Sequence, residues 1–298
     1  MKLSEKILLL MHNINKSSLK KYLGKNYYKD VNISKHFNDY PLHRQYMQKV
    51  KSGIGCDILN KEIIEIGCGG GGISTFLAMN GAKKVYGIDI NKEQIKVANI
   101  FIKEFREKNN AHICVEFIEM NATDLQFDDN SIDIIFADSA FEHFTDPEKV
   151  IKECNRVLRE NGKLIVPCFS SWYSKNALHL KKGLAVPWAN LFFSEQTIIN
   201  VLQHLSKKEP ILLDIYPGLS KSPKCVRDVR KYKDLNYITY RKFKKMSLNN
   251  GLHVDEFSYL MPRNLKIISS IIRKLRIFNK TILPDIFSTG ARAVLIKK

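Results

Sequence analysis

A chain of 298 residues is long enough to bury a full core in one large domain, or in one body with substantial insertions. Hydrophobic residues make up 44% and charged residues 26%, the balance of an ordinary globular protein, and no apolar run reaches the roughly 20 residues of a membrane-spanning helix. The net charge of +18 is concentrated in the flanks: residues 1–60 hold 11 Lys and Arg against 4 Asp and Glu, residues 61–168 hold 13 against 18, and residues 169–298 hold 24 against 8. Such asymmetry points the flanks toward an anionic partner (a phosphorylated substrate, a membrane surface or nucleic acid), or reflects general lysine enrichment.

The six cysteines are scattered, with no CxxC pair, and no histidine cluster has metal-ligand spacing, so neither a disulfide framework nor a metal site is expected. The apolar run at the N-terminus is too short for a signal-peptide core and is expected to be a helix on the body. These features give a cytoplasmic expectation.

In chain order, residues 62–66 are a short β-branched run that enters a glycine cluster. A helix over 73–80 follows, stopped by Gly81. Residues 84–90 read as a second strand. Asn91 caps a helix running to about 108, with apolar positions Ile95, Ala98, Ile102 and Phe105. Strands are expected at 114–120 and 132–137. Asp146-Pro147 opens a helix to Arg159, Gly162 follows it, and 163–167 is a fifth strand. Strands alternating with helices imply a parallel sheet covered on both faces. Beyond Cys168 the pattern loosens. Helices are expected at 195–205 and 240–248, strands at 252–260 and 289–297, and a basic amphipathic helix at 262–279. That last helix could lie on an anionic membrane or cover the core. The segments divide into an N-terminal helical cap (1–60) and a main domain (61–298). Within the latter lie a cofactor core (61–168), an acceptor-side insertion (169–235) and returning elements (236–298).

Gly67, Gly69 and Gly72 form a G-x-G-x-x-G pattern between a strand and a helix, with Asp89 at the end of the next strand. This layout suits a dinucleotide, and equally the methionine end of S-adenosylmethionine, since both need close backbone approach at a helix N-terminus. Glu65 separates the two. A carboxylate just ahead of the loop repels a pyrophosphate and favours an ammonium and a sulfonium.

The run Glu65-Ile-Gly67-Cys-Gly69-Gly-Gly71 resembles the first motif of class I S-adenosylmethionine-dependent methyltransferases. Residues 127–144, with the Glu142-His143 pair, resemble that family's fourth-strand region. Residues 146–166 resemble the helix and strand that follow, and the end of the chain resembles the family's last, antiparallel strand. The resemblance is close over about 61–168 and looser over 236–298. It implies an α/β fold with a doubly wound, mostly parallel seven-stranded sheet whose last strand is antiparallel (Rossmann-like), with an N-terminal helical cover and C-terminal insertions. It implies S-adenosyl-L-methionine as co-substrate. Glu65, Gly67, Gly69 and Gly71 would shape the methionine site, Asp89 would hold the ribose, and Ile90 would pack on the adenine. Asn121 and Ala122 would stand at the adenine edge, where the family often has an acidic residue and a small one. Asp138 would lie near the cofactor's amino group, or cap the next turn.

His143, just past the fourth strand, could take a proton from a hydroxyl nucleophile, or be a packed histidine partnered by Glu142. The aromatic segment at 179–194, with Pro187 and Trp188, could line an acceptor pocket or pack an insertion. Tyr40 to Tyr46 could fold over the cofactor. Together these imply metal-free methyl transfer to O or N of a small-molecule, sugar or lipid-linked acceptor, anionic in character, with peripheral membrane contact as an option. RNA methylation on the basic C-terminal part is an alternative, although no nucleic-acid module is visible. A non-catalytic cofactor-binding protein is another.

Overall fold

The computed structural model describes residues 1–23, 57–174, 184, 186, 188–208, 236–260 and 281–298, with side chains of the first helix described as far as Ile14. The segments 40–46 and 262–279, and most of 169–235, lie outside the described residues.

Strands β1 (Glu62–Ile66), β2 (Lys84–Asp89), β3 (Val115–Glu119), β4 (Ile132–Phe136), β5 (Leu158–Phe169), β6 (Leu252–Leu260) and β7 (Gly290–Lys297) form one sheet in the order β3-β2-β1-β4-β5-β7-β6. The first five strands run parallel, and β7 is inserted antiparallel between β5 and β6. The expected seven-stranded topology is present. Consecutive strand residues are buried toward opposite faces: Ile63, Ile134 and Ile165 belong to one cluster, and Ile64, Ile135 and Val166 to the other. This double burial is why the strands read as continuous apolar runs rather than as alternations.

On one face lie α2 (Gly72–Met79) and α3 (Lys92–Asn109). The Asn91 side chain caps α3 by accepting from the N–H groups of Glu93 and Gln94. On the other lie α4 (Pro147–Val157), capped by Asp146, and α7 (Tyr240–Asn249), whose Tyr240, Phe243 and Met246 complete the core against Phe141 and Phe169. Helix α1 (Leu3–Leu23) packs on α6 (Glu195–Ser206). Leu8 enters an apolar cluster with Trp172, Ile198 and Leu202, and Asn200 donates to Glu5 at 2.6 Å. Short helices α5 (Ala189–Phe192) and α8 (Leu283–Phe287) complete the described elements.

One boundary differs from expectation. The fourth helix stops at Val157, not Arg159, and β5 begins at once. Leu158 pairs with Ile132, whereas Lys163 pairs with Ile134, so residues 159–162 are an irregularity inside the strand. Asn161 there has φ 63°. The arrangement is held because Arg159 reaches across the sheet to Asp133 (2.8 Å) and Glu62 (3.2 Å), and Asp133 also accepts from the Glu62 N–H. A helix-stop sequence is thereby used as a bulge.

Candidate active site

The sheet order reverses between β1 and β4. The loops leaving the carboxyl ends of these neighbours open the crevice where ligands bind in such sheets. The β1 loop turns through three left-handed glycines, Gly67 (φ 75°), Gly69 (φ 51°) and Gly71 (φ 81°), which only glycine adopts at little cost. Asp89, at the end of β2, anchors it: Oδ2 accepts from the Gly69 N–H at 3.0 Å, and Oδ1 accepts from the Asn91 N–H at 2.9 Å. Gly67 and Cys68 both donate to the Ile88 carbonyl. A Cβ at Gly71 would run into the Phe117 ring and stand 3.0 Å from the Ala98 methyl. Gly71→Ala therefore combines a strained φ with overpacking, and it is expected to lower stability by about 3 kcal/mol, read as a fall in the denaturant midpoint.

Glu65 lies under the loop, 2% exposed, and accepts a hydrogen bond from Ser74 Oγ of α2. Burial, with the neighbouring negative charges of Asp138 and Asp89, pushes its carboxyl up to about 8, against the opposing effect of the Ser74 hydrogen bond. Burial also raises the Cys68 thiol far above its ordinary range, helped by Glu65 and Asp89, so this cysteine is an inert small hydrophobe. Beside the loop, Ile90 is 70% exposed and offers a bare apolar surface at the end of β2.

Asn121 is exposed just past β3. Its Oδ1 already accepts from the Thr123 N–H and hydroxyl, both at 3.0 Å, which leaves the amide nitrogen as its outward donor. Ala122 next to it is buried. Asp138 is half-buried two residues beyond β4, in a turn where Ser139 takes φ 51° and donates its N–H to the Cys168 carbonyl at 2.8 Å. A left-handed non-glycine residue at such a place is a local strain that the surrounding turn holds in position.

The sequence pattern marks His143, and the structure adds Glu142. His143 is half-buried. Glu142 is 4% exposed, and its buried Oε2 has no hydrogen-bond partner among the described residues. Burial raises its carboxyl to about 7, with a contribution from Asp138. Glu65, Asp138 and Glu142 thus share one electrostatic neighbourhood, together with Cys168. The turn carrying Glu142 and His143 is stapled by Asn236, whose Nδ2 donates to the carbonyls of Phe141 (2.6 Å) and Phe144 (2.8 Å), and whose N–H donates to that of Glu142. No local pattern announces Asn236, because its contacts span more than 90 residues of chain. Glu65, Asp89, Asn121, Asp138 and His143 all follow or end strands at this edge of the sheet, Ile90 is exposed beside them, and Ala122 is buried in the core beneath.

The model of a methyltransferase domain family matches residues 64–166, which covers the loop, Asp89 and the β4 turn. A ubiquinone biosynthesis O-methyltransferase of Glaesserella parasuis is 31% identical over 129 residues, covering 42% of this chain and 51% of the relative. The chloroplastic tocopherol O-methyltransferase of Arabidopsis thaliana is 30% identical over 128 residues, covering 43% and 34%. The chain thus spans about half or less of the curated relatives it matches. A solved Listeria monocytogenes protein, assigned to the S-adenosylmethionine-dependent methyltransferases, shares the fold at a TM-score of 0.50 and 12% identity over 82% of this chain and 93% of its own. The loop geometry, the strand order with its antiparallel insertion, and the matched segment agree: residues 64–166 carry a methyltransferase domain, set in the seven-stranded fold of the class I S-adenosylmethionine-dependent type.

Proposed function

We propose that the protein transfers a methyl group from S-adenosyl-L-methionine to an oxygen or nitrogen of a small organic acceptor (free, sugar-bearing or lipid-linked). The observation that carries this reading is the placing of Glu65, Asp89 and Asp138 around a loop of left-handed glycines. The acids Asp89 and Asp138 on this side of the loop oppose a pyrophosphate, and a buried Glu65 that can ionise beside a cation suits a ligand bearing an ammonium and a sulfonium. The bound co-substrate supplies an electrophilic methyl carbon. The chain's residues would hold it: Asp89 accepting from ribose hydroxyls, Ile90 beneath the adenine, Asn121 donating at the adenine edge, and Glu65 with Asp138 at the amino group. Both curated relatives are O-methyltransferases, which favours an oxygen acceptor.

An oxygen acceptor must lose a proton as the bond forms. Two groups at the end of β4 are suited to receive it. One is His143, and the other is Glu142, whose carboxyl is held near 7. His143→Ala is expected to lower kcat about a hundredfold with little change in KM, while Glu142→Gln shifts the acidic limb of the pH–rate profile. If neither variant changes kcat or its pH dependence, the acceptor supplies its own unprotonated nucleophile and both roles are wrong.

The deciding experiment transfers labelled methyl from S-adenosylmethionine into cell extract separated into lipid, polysaccharide, RNA and small-molecule fractions. Label in the lipid, polysaccharide or small-molecule fraction supports the reading. Label confined to RNA replaces it with RNA methylation on the basic C-terminal part. Calorimetric binding of NAD(P) without any response to S-adenosylhomocysteine removes it altogether.

A further inference from the structure

Among the described residues, ten of the sixteen exposed large hydrophobic side chains stand on or beside α1, α5 and α8. These three elements adjoin. Ser4 of α1 meets Thr197 of α6 at 3.3 Å, and a single residue, Phe193, separates α5 from Ser194, which caps α6. Trp188, at the start of α5, donates its indole N–H to the Ile286 carbonyl of α8 at 2.9 Å. On α1 the exposed residues are Leu3, Ile7, Leu10 and Ile14, one helical stripe about 16 Å long on the side opposite buried Leu8 and His12. Phe192 on α5 is 73% exposed, and Phe287 of α8 is exposed as well.

The charges around this surface are sorted by sign. Its acids turn inward. Glu5 accepts from the Lys2 N–H and from Asn200, Glu195 from the Tyr237 hydroxyl, and buried Asp285 from the Tyr240 N–H. The basic residues Lys2, Lys6, Lys207 and Lys208 are exposed. The stripe has the four-three spacing that can seat a second helix, but a second copy would bring lysines toward lysines, with no exposed acid on α1 to answer them.

We infer that α1, α5 and α8 form a membrane-docking face that lies on an anionic lipid surface, with the leucine–isoleucine stripe and Phe192 in the acyl boundary and the lysines at the headgroups. This inference is independent of the methyl-transfer reading. An apolar stripe whose exposed charged neighbours, among the described residues, are lysines is the pattern by which a helix lies in a bilayer interface, where area burial and headgroup attraction add.

The test is flotation of the full chain with vesicles of phosphatidylcholine alone and of phosphatidylcholine mixed with phosphatidylglycerol, at low and high salt. The expected result is binding to the mixed vesicles that weakens with salt. Leu10→Glu should lower that binding at least about tenfold, as should Lys6→Glu, which leaves the apolar stripe intact. Both variants should keep wild-type melting and S-adenosylhomocysteine affinity. Failure of the wild type to float with mixed vesicles, or flotation of both variants equal to that of the wild type, overturns the proposal. So does a dimer in sedimentation that Leu10→Glu dissociates, which would make a second copy the occupant.

Discussion

Asp89→Ala should weaken S-adenosylhomocysteine binding by about a hundredfold or more, measured by calorimetry, with no comparable loss of fold. Asp89 holds the glycine loop through the Gly69 N–H and fixes the start of α3 through the Asn91 N–H. In the proposed complex it also accepts from the ribose. Charge-assisted hydrogen bonds contribute roughly 1.5–3 kcal/mol each, so losing two of them accounts for the expected factor. The exposed start of α3 retains the Asn91 side-chain cap, which limits the structural cost. Asp89→Asn is the discriminating control: it keeps one acceptor oxygen and should lose an intermediate factor. Full affinity in Asp89→Ala would place the ribose elsewhere.

Much of this was legible in the sequence, for identifiable reasons. The alternation of short β-branched runs with capped helices survives into the structure because the caps are local: Asn91 and Asp146 accept from N–H groups two or three residues away. The glycine loop is legible for the same reason, since positive φ is a property of single residues. The segment 159–162 failed that logic. Arg-Glu-Asn-Gly closes a helix by local rules, but Asp133 and Glu62, far away in sequence, capture Arg159 and draw the chain into the sheet. Glu142 was legible only as a neighbour of His143. Its importance comes from burial beside Asp138 and against the end of β5, which is tertiary information. The Asn236 staple is of the same kind, as is the docking of α1 on α6. The pattern of an acid ahead of the loop identified Glu65, but not its protonation, which depends on complete burial.

That protonation yields the second large effect. With its carboxyl raised to about 8, Glu65 carries a proton in the ligand-free protein at pH 7. A cationic amino group placed nearby would favour the carboxylate, so binding should release about one proton and affinity should rise by up to about tenfold per pH unit between about pH 6 and 8. Above about pH 8 the ligand's own α-amino group begins to lose its charge and the gain should level off. The same shift sets a stability trend. The folded state binds the proton more tightly than the unfolded chain, so Glu65 contributes stability that is fully present below about pH 4.5 and is lost as pH rises toward 8. Glu65→Gln should therefore make the ligand-free protein more stable at pH 8 and flatten its decline, while weakening S-adenosylhomocysteine binding and abolishing most of the proton release. Glu142 titrates close by, near 7, so Glu142→Gln is measured alongside. Calorimetry in buffers of different ionisation enthalpy counts the protons directly. If Glu65→Gln releases as many protons as the wild type, Glu65 is not the group that meets the ligand's cation, and the carboxylate that does so must be sought at Asp138.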